Sequence, residues 1–265
     1  MARERELTRN IITQTLTEAL KPLDYVHAFY EAGAIAFNRI DKWSDIDLYI
    51  VVDDEKVNQT FQEVEKTLKT LSPIKQKLDI PQTGWPGVFQ AFYRLENASE
   101  YLIIDLAILT NSCPDKFLEP RIHGNAVFHF NKSNKIKPPL FDGEAFVKKV
   151  HARLERLQTK FGMFNNFVQK EINRGNSLEA LDLYYGLTLA TLVEALRIRY
   201  GPLHHEFKMR YVHYELPSNT IEKLERLNFV KDEKDLQRKY REATEWFQKT
   251  MSEIDPKEIR KLVGT

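Results

Sequence analysis

Three aspartates stand at or inside expected strands, and their spacing suits phosphate chemistry. The segment GAIAFNRIDKWSDIDLYIVV, residues 33–52, carries Asp45 and Asp47 at the entry to an apolar run. Residues two apart in an extended chain face the same way, so two like charges point to one side. They repel, and one takes up a proton unless a cation is shared between them. A divalent metal resolves that conflict, and oxygen-only ligation favours Mg2+. Asp105 interrupts LIIDLAIL, residues 102–109, a run otherwise fit for a sheet centre. A charge buried there without a partner is costly. Each feature also has a plain structural reading. Asp-x-Asp before a strand is common turn chemistry, and a mid-strand aspartate can cap backbone or pair with an arginine. The combination is more specific: glycine, eleven residues, Asp-x-Asp, then a later strand with a central aspartate. That is the layout of two-metal phosphoryl chemistry.

On these residues the chain resembles the polymerase-beta-like nucleotidyltransferases, in particular the small-substrate branch that includes aminoglycoside and lincosamide nucleotidyltransferases. That family's signature is Gly-Ser, ten residues, then Asp-x-Asp, often with a run close to LARGRADKWS between them. This chain reads Gly33-Ala34, IAFNRIDKWS, Asp45-Ile46-Asp47, so Ala36, Arg39, Asp41, Lys42, Trp43 and Ser44 fall on the pattern without a gap. The resemblance implies transfer of a nucleoside monophosphate, AMP from ATP being the expected donor reaction, to a hydroxyl of a small acceptor, with pyrophosphate leaving. It implies that Asp45, Asp47 and Asp105 are catalytic and metal-binding. Gly33, Ala34, Arg39, Lys42 and Ser44 would line the nucleotide. Gly33 would admit the phosphates, because a Cβ would block them. Ala34 departs from the pattern: the family's serine hydroxyl is missing. Losing one charge-assisted donor costs about 1.5–3 kcal/mol of binding. Phe37-Asn38 also replaces the common Arg-Gly, although asparagine tolerates a left-handed turn.

The elements that must position these residues can be read from periodicity. Residues 8–21 place Ile11, Ile12, Leu16 and Leu20 on one helical face behind Thr8 as N-cap. A strand is expected in DYVHAFYEAG up to Gly33, and a second in IDLYIVV. A helix then carries Val57, Phe61, Val64 and Leu68 inward. VFQAFYRL (88–95) and YLIIDLAIL (101–109) read as a hairpin across ENASE, and AVFHF (126–130) as an edge strand. The polar, proline-containing stretch 131–143 reads as a linker. Beyond it, residues 142–173 form one expected helix with Phe146, Val150, Leu154, Leu157, Phe161, Phe164 and Val168 inward. Residues 177–200 are apolar nearly all round and suit a central helix stopped by Gly201-Pro202. Further helices are expected over 220–228 and 232–250. The expected fold is α+β: an N-terminal nucleotidyltransferase-type mixed sheet flanked by helices over 1–135, then a C-terminal helical bundle over 142–265. The bundle would bind the acceptor or dimerise the chain.

Bulk composition limits the partners. Of 265 residues, Lys plus Arg total 39 and Asp plus Glu 38, so the net charge of +1 argues against gripping a long nucleic acid. Nucleic-acid polymerisation is accordingly the weakest reading. The single cysteine, Cys113, allows no internal disulfide and suits a reducing compartment. MARERELTRN has no apolar signal core, and no run approaches a membrane span, so a cytoplasmic protein with no membrane partner is expected. RIRYGPLHHEFKMRYVHYELP, 197–217, concentrates Arg197, Arg199, His204, His205, Lys208, Arg210 and His213. It reads either as part of an acceptor or phosphate pocket, or as a solvated helix end. Arg199-x4-His204 also fits the short pattern of HEPN-type ribonucleases, with a high chance rate. Glu179, Asp182 and Glu194 could meet a cationic acceptor or form internal ion pairs. Trp43 and Trp85, the latter in TGWPGV, could stack on a base, though aromatic rim packing is the commoner use. Two alternatives keep the fold: a protein AMP-transferase of antitoxin type, and a catalytically weak nucleotide-binding homologue prompted by Ala34.

Overall fold

In the computed structural model, residues 7–81 and 85–265 are described; the first six residues and Thr83-Gly84 of TGWPGV lie outside them. The chain divides into two compact units, one ending at Leu140 and the other spanning Phe141–Thr265.

The first unit is a six-stranded mixed sheet backed by helices. Helix α1 (Arg9–Leu20) begins at Thr8, whose hydroxyl accepts from the Ile11 amide. Strands β1 (Val26–Glu31) and β2 (Ile46–Val52) follow, then α2 (Val57–Leu71), β3 (Ile74–Ile80), β4 (Val88–Leu95), β5 (Ile104–Thr110), the short α3 (Pro120–His123) and β6 (Val127–Asn131). The order across the sheet is β3-β4-β5-β2-β1-β6. Among the described strands, β2 and β5 pair in parallel and the other four pairings are antiparallel. The edge strand β3 was not foreseen from the sequence. IKQKLDI has one strong apolar residue in its middle, and an edge strand with mostly exposed side chains gives little hydrophobic period. The β4–β5 connection is also longer than the expected turn, because β5 begins only at Ile104.

Alternation along the central strands accounts for Asp105. Ile46, Leu48 and Ile50 of β2 and Ile104, Leu106 and Ile108 of β5 enter the core shared with Ile12, Leu16, Leu20, Val64 and Leu68 of the helices. Their neighbours in sequence, Asp47 and Asp105 among them, necessarily face the other side of the sheet. There the deeper positions Ala28, Tyr30, Val51 and Leu109 form a second, smaller core under Leu118 and Ile136. Asp105 therefore interrupts an apolar run without entering the helix-covered core. A slip of one residue would drive both aspartates under the helices, so burial on the helical face pins the register.

The second unit is helical. It comprises α4 (Gly143–Phe164), α5 (Asn166–Arg174), α6 (Ser177–Leu183), a π-helical turn (Tyr184–Leu189), α7 (Ala190–Tyr200), α8 (Val212–Glu215), α9 (Ser218–Asn228), α10 (Glu233–Glu253) and α11 (Pro256–Val263). The expected single helix over 142–173 is interrupted at Asn165. Its backbone stays helical, while its buried amide donates to Tyr240 and Thr244 and accepts from Thr188 at 2.7 Å. Phe164, expected inward, is exposed. The segment 177–200 is indeed buried along much of its length, with Tyr184, Leu192, Leu196 and Ile198 fully enclosed. No helix among the described residues is long and apolar enough to cross a membrane.

Buried charges in this unit are paired internally. Arg197, only 1% exposed, donates to the Lys208 and Arg210 carbonyls and to Glu215 Oε2 at 2.8 Å. It thereby ties the loop after α7 back onto that helix. Arg199 pairs with Glu253, whereas His204 Nδ1 lies 3.1 Å from Glu215. The Arg199-x4-His204 pattern thus serves two different carboxylates, and the ribonuclease reading loses its geometric basis. Arg153 holds Glu194 through two hydrogen bonds, one of 2.7 Å. Burial opposes the Glu194 charge, but Arg153 and the nearby His205 outweigh it and hold the carboxyl down at about 2.

A folded-state value below the unfolded one adds stability above the unfolded pKa, lost as pH falls through the folded value. The Glu194 charge should therefore contribute about 3 kcal/mol at neutral pH, declining between about pH 4.5 and 2. Glu194→Gln should lower stability at pH 7 and flatten that acid limb. Urea titrations at pH 7 and 3.5 check both.

Candidate active site

The parallel ladder between β2 and β5 sets Asp47 directly opposite Asp105. Both side chains lie half-buried on the face away from α1 and α2, while Asp45 is exposed one step before β2. Gln90 of β4 donates its amide to Asp105 Oδ1 at 2.6 Å. Burial raises the proton affinity of Asp105, the Asp45 charge raises it further, and the Gln90 bond works the other way. The three carboxylates therefore come from one end of two neighbouring strands and its entry loop.

Gly33 closes the other side. Its φ of +63° lies in the left-handed region, and a Cβ built there would fall 1.7 Å from Asp47 Oδ2. Glycine is required here first to leave room for the Asp47 carboxylate. After it the chain makes a single 3-10 turn, Ile35–Phe37, with Ala34 in right-handed helical conformation and Asn38 in the left-handed one. The asparagine thus does take the turn that a glycine would. The Ala36, Asn38 and Arg39 amides donate to the Gly33, Ile35 and Ala34 carbonyls, so they are engaged within the turn. Gly124 packs tightly on this turn, since a Cβ there would meet the Ala36 carbonyl oxygen at 2.6 Å.

The remaining expected nucleotide residues have local partners. Ser44 donates its hydroxyl to Asp41 Oδ1 at 3.0 Å and accepts from the Asp41 amide, while the same carboxylate accepts from Trp43 N. This is an aspartate-organised turn, and it occupies the Ser44 hydroxyl. Lys42 Nζ stands 4.6 Å over the Trp43 ring, and the Arg39 guanidinium 5.1 Å over Phe37.

Two residues not singled out in the sequence hold the aspartate loop. Arg9, first residue of α1, donates to the Asp45 carbonyl and, at 2.7 Å, to Glu31 Oε2. Glu31 is buried and also meets His129 Nε2 at 2.9 Å. Burial alone would push its carboxyl up; His129 and Arg9 more than offset that and lower it. The only sequence signal was a glutamate closing the apolar strand VHAFYE, just as a glutamine inside VFQAFYRL was the only trace of Gln90.

Among the described residues no trio of His, Cys, Asp or Glu side chains is gathered to hold a metal by itself. Mg2+ ordinarily takes one or two carboxylates and completes its shell with substrate phosphates and water. Asp45 and Asp47 fit that role, and Asp105, whose proton affinity is raised by burial beside Asp45, fits a place next to added positive charge.

No family model matches the sequence, and neither does any curated protein. Similar solved structures exist at low identity. An aminoglycoside 6-adenyltransferase from Bacillus subtilis has 13% identity over 96% of this chain and 95% of its own, with a TM-score of 0.31. A spectinomycin adenyltransferase from Enterococcus faecialis, solved with ATP and spectinomycin, has 11% identity over 97% and 100%, with a TM-score of 0.35. A tRNA-processing enzyme has 12% identity over 99% and 80%, with a TM-score of 0.36.

The Gly33 contact yields a direct test. Gly33→Ala combines a left-handed backbone with a collision against Asp47, so it should destabilise the fold by more than about 1 kcal/mol. Thermal and urea denaturation of the variant beside the wild type read the loss.

Proposed function

We propose that the protein is a Mg2+-dependent nucleotidyltransferase that moves a nucleoside monophosphate, AMP from ATP, to a hydroxyl of a small acceptor. The observation that carries this reading is the pairing of Asp47 with Asp105 across the β2–β5 ladder, with the Asp45 charge acting on Asp105. Asp45 and Asp47 would hold Mg2+ against the triphosphate. The metal supplies charge neutralisation on the phosphates during in-line displacement. The acceptor oxygen attacks the α-phosphorus, the bond to the bridging oxygen breaks, and pyrophosphate leaves. Asp105 would take the hydroxyl's proton or share a second ion. Arg39 and Lys42, at the turn, would leave their rings to meet phosphate oxygens. An aminoglycoside- or lincosamide-like molecule is the expected type of acceptor.

A second reading, a nucleotide-binding protein of low turnover, is favoured by Ala34. Its side chain has no hydroxyl, and three amides of the following turn already have partners.

Purified protein titrated with each NTP, with and without Mg2+, separates the readings through thermal shift and pyrophosphate release in an acceptor screen. Asp45→Asn and Asp47→Asn should each remove Mg2+-dependent ATP stabilisation while leaving the nucleotide-free melting temperature nearly unchanged. A variant that still bound Mg2+-ATP normally would sink the site assignment. Ala34→Ser should gain about tenfold or more in turnover or nucleotide affinity, from about 1.5–3 kcal/mol for one charge-assisted donor.

A further inference from the structure

Four large apolar side chains stand in solvent beside the carboxylates. Ile40 and Trp43, which precede β2, are 44% and 55% exposed; Tyr101 and Ile103, which precede β5, are 46% and 38% exposed. The Trp43 and Tyr101 rings meet edge to face, with centroids 4.7 Å apart and planes at 88°. Their loops are joined where the Ile46 amide donates to the Ile103 carbonyl at 2.8 Å. None of the four belongs to either apolar core of the sheet unit. Single exposed apolar residues need no explanation, but two exposed rings packed on each other in the loops that lead to a polar site suit a ligand surface. Nor is the tryptophan loosely presented, since its amide is fixed to Asp41 Oδ1 at 2.9 Å.

We propose that Trp43, buttressed by Tyr101, is the stacking surface for the nucleobase of the donor nucleotide. The proposal rests on the nucleotidyl-transfer reading and adds a base subsite to it. Trp43 lies two residues before Asp45, on the same short loop as Arg39 and Lys42. A triphosphate neutralised by those cations and by Mg2+ would bring its nucleoside to this rim. The rim's chemistry selects the ring end of the ligand. Ile40, Trp43, Tyr101 and Ile103 offer only an indole N–H and a phenol O–H, too few partners for a hydroxyl-rich acceptor, whereas every base has a π-face. Lys42 takes part in an exchange. Its ammonium covers the indole at 4.6 Å before binding; when a triphosphate arrives, the flexible head moves to phosphate and the ring face passes to the base. Stacking reads bases by surface rather than by hydrogen bonds, so purines should bind better than pyrimidines by a modest factor.

The test uses Mg2+-ATP and Mg2+-tripolyphosphate as paired probes. The chain has three tryptophans, so Trp85→Phe with Trp246→Phe leaves Trp43 as the only indole. Both probes draw Lys42 from the indole, so ATP should change its emission beyond the change that tripolyphosphate causes, and only ATP should shield it from acrylamide quenching. Trp43→Ala should weaken ATP about tenfold or more, leave tripolyphosphate affinity within twofold, and Trp43→Phe should restore most of the loss. Unchanged tripolyphosphate binding also shows that the variant is folded. If Trp43→Ala left ATP affinity within twofold, or raised only the KM for an acceptor, the base subsite would be overturned while nucleotidyl transfer stood. The base subsite would be overturned in the same way if the wild-type protein bound ATP no more tightly than tripolyphosphate. If it bound neither, both readings would fall together.

Discussion

Two carboxylates face each other across a parallel β-ladder, and much of the first unit can be understood as what permits that arrangement. Asp47 and Asp105 occupy matched positions on β2 and β5, with Asp45 close enough to raise the proton affinity of Asp105. Like charges on adjacent strands destabilise a sheet. The arrangement persists because the opposite face of the same strands is fully committed. Ile46, Leu48, Ile104 and Leu106 are completely buried against α1 and α2, each contributing about 1.5–3 kcal/mol. Four such side chains outweigh a repulsion between partly solvated charges. Register and repulsion are thus set by opposite faces of the same two strands, and the hydrophobic face wins.

Local devices then aim the carboxylates. Gly33 lets the chain pass beside Asp47 where any side chain would collide with it. Gln90 fixes one oxygen of Asp105 from the neighbouring strand. Arg9 reaches from the start of α1 to the Asp45 carbonyl and is itself anchored on buried Glu31, which His129 also holds. Removing one member of such a buried network leaves the others uncompensated. The aspartate loop is therefore coupled to a helix and two strands that contribute nothing to its motif.

What could be read from the chain followed from how local the physics was. The β2 and β5 runs were legible because each is a short, almost continuous apolar stretch; Asp105 stood out because a charge inside such a run needs an explanation. The exposed edge strand β3 escaped notice, since IKQKLDI shows little burial pattern of its own. Gln90, Arg9 and Glu31 were illegible for a different reason. Their partners lie 15 to 98 residues away, and only the fold brings them together. Ser44 shows a local partner instead: its place in a motif suggested a ligand contact, and in the fold an aspartate three residues away engages its hydroxyl. In the helical unit the cationic run 197–213 resembled an exposed patch until Arg197 proved to be buried and bound to carbonyls of its own loop.

The carboxylate side of the site is stiff and the cationic side is soft, and the energies involved explain the division. Asp47 and Asp105 sit on central strands of a packed sheet, where reorientation would disturb core side chains. Arg39 and Lys42 sit on a loop and stand over Phe37 and Trp43. An exposed cation–π contact is worth about 0.5–1 kcal/mol, whereas a charge-assisted hydrogen bond to an anion is worth about 1.5–3 kcal/mol. A triphosphate can therefore draw both cations from their rings at a net gain, without unfolding anything. That exchange matters more in this chain than it would with a serine at position 34. On the proposed reading, with the hydroxyl missing and the Ala36, Asn38 and Arg39 amides already engaged, phosphate recognition would shift from the turn's backbone to the Arg39 and Lys42 side chains. On the proposed base subsite the same movement would uncover the indole when a base needs a surface, which would link the alanine at position 34 to the exposure of Trp43.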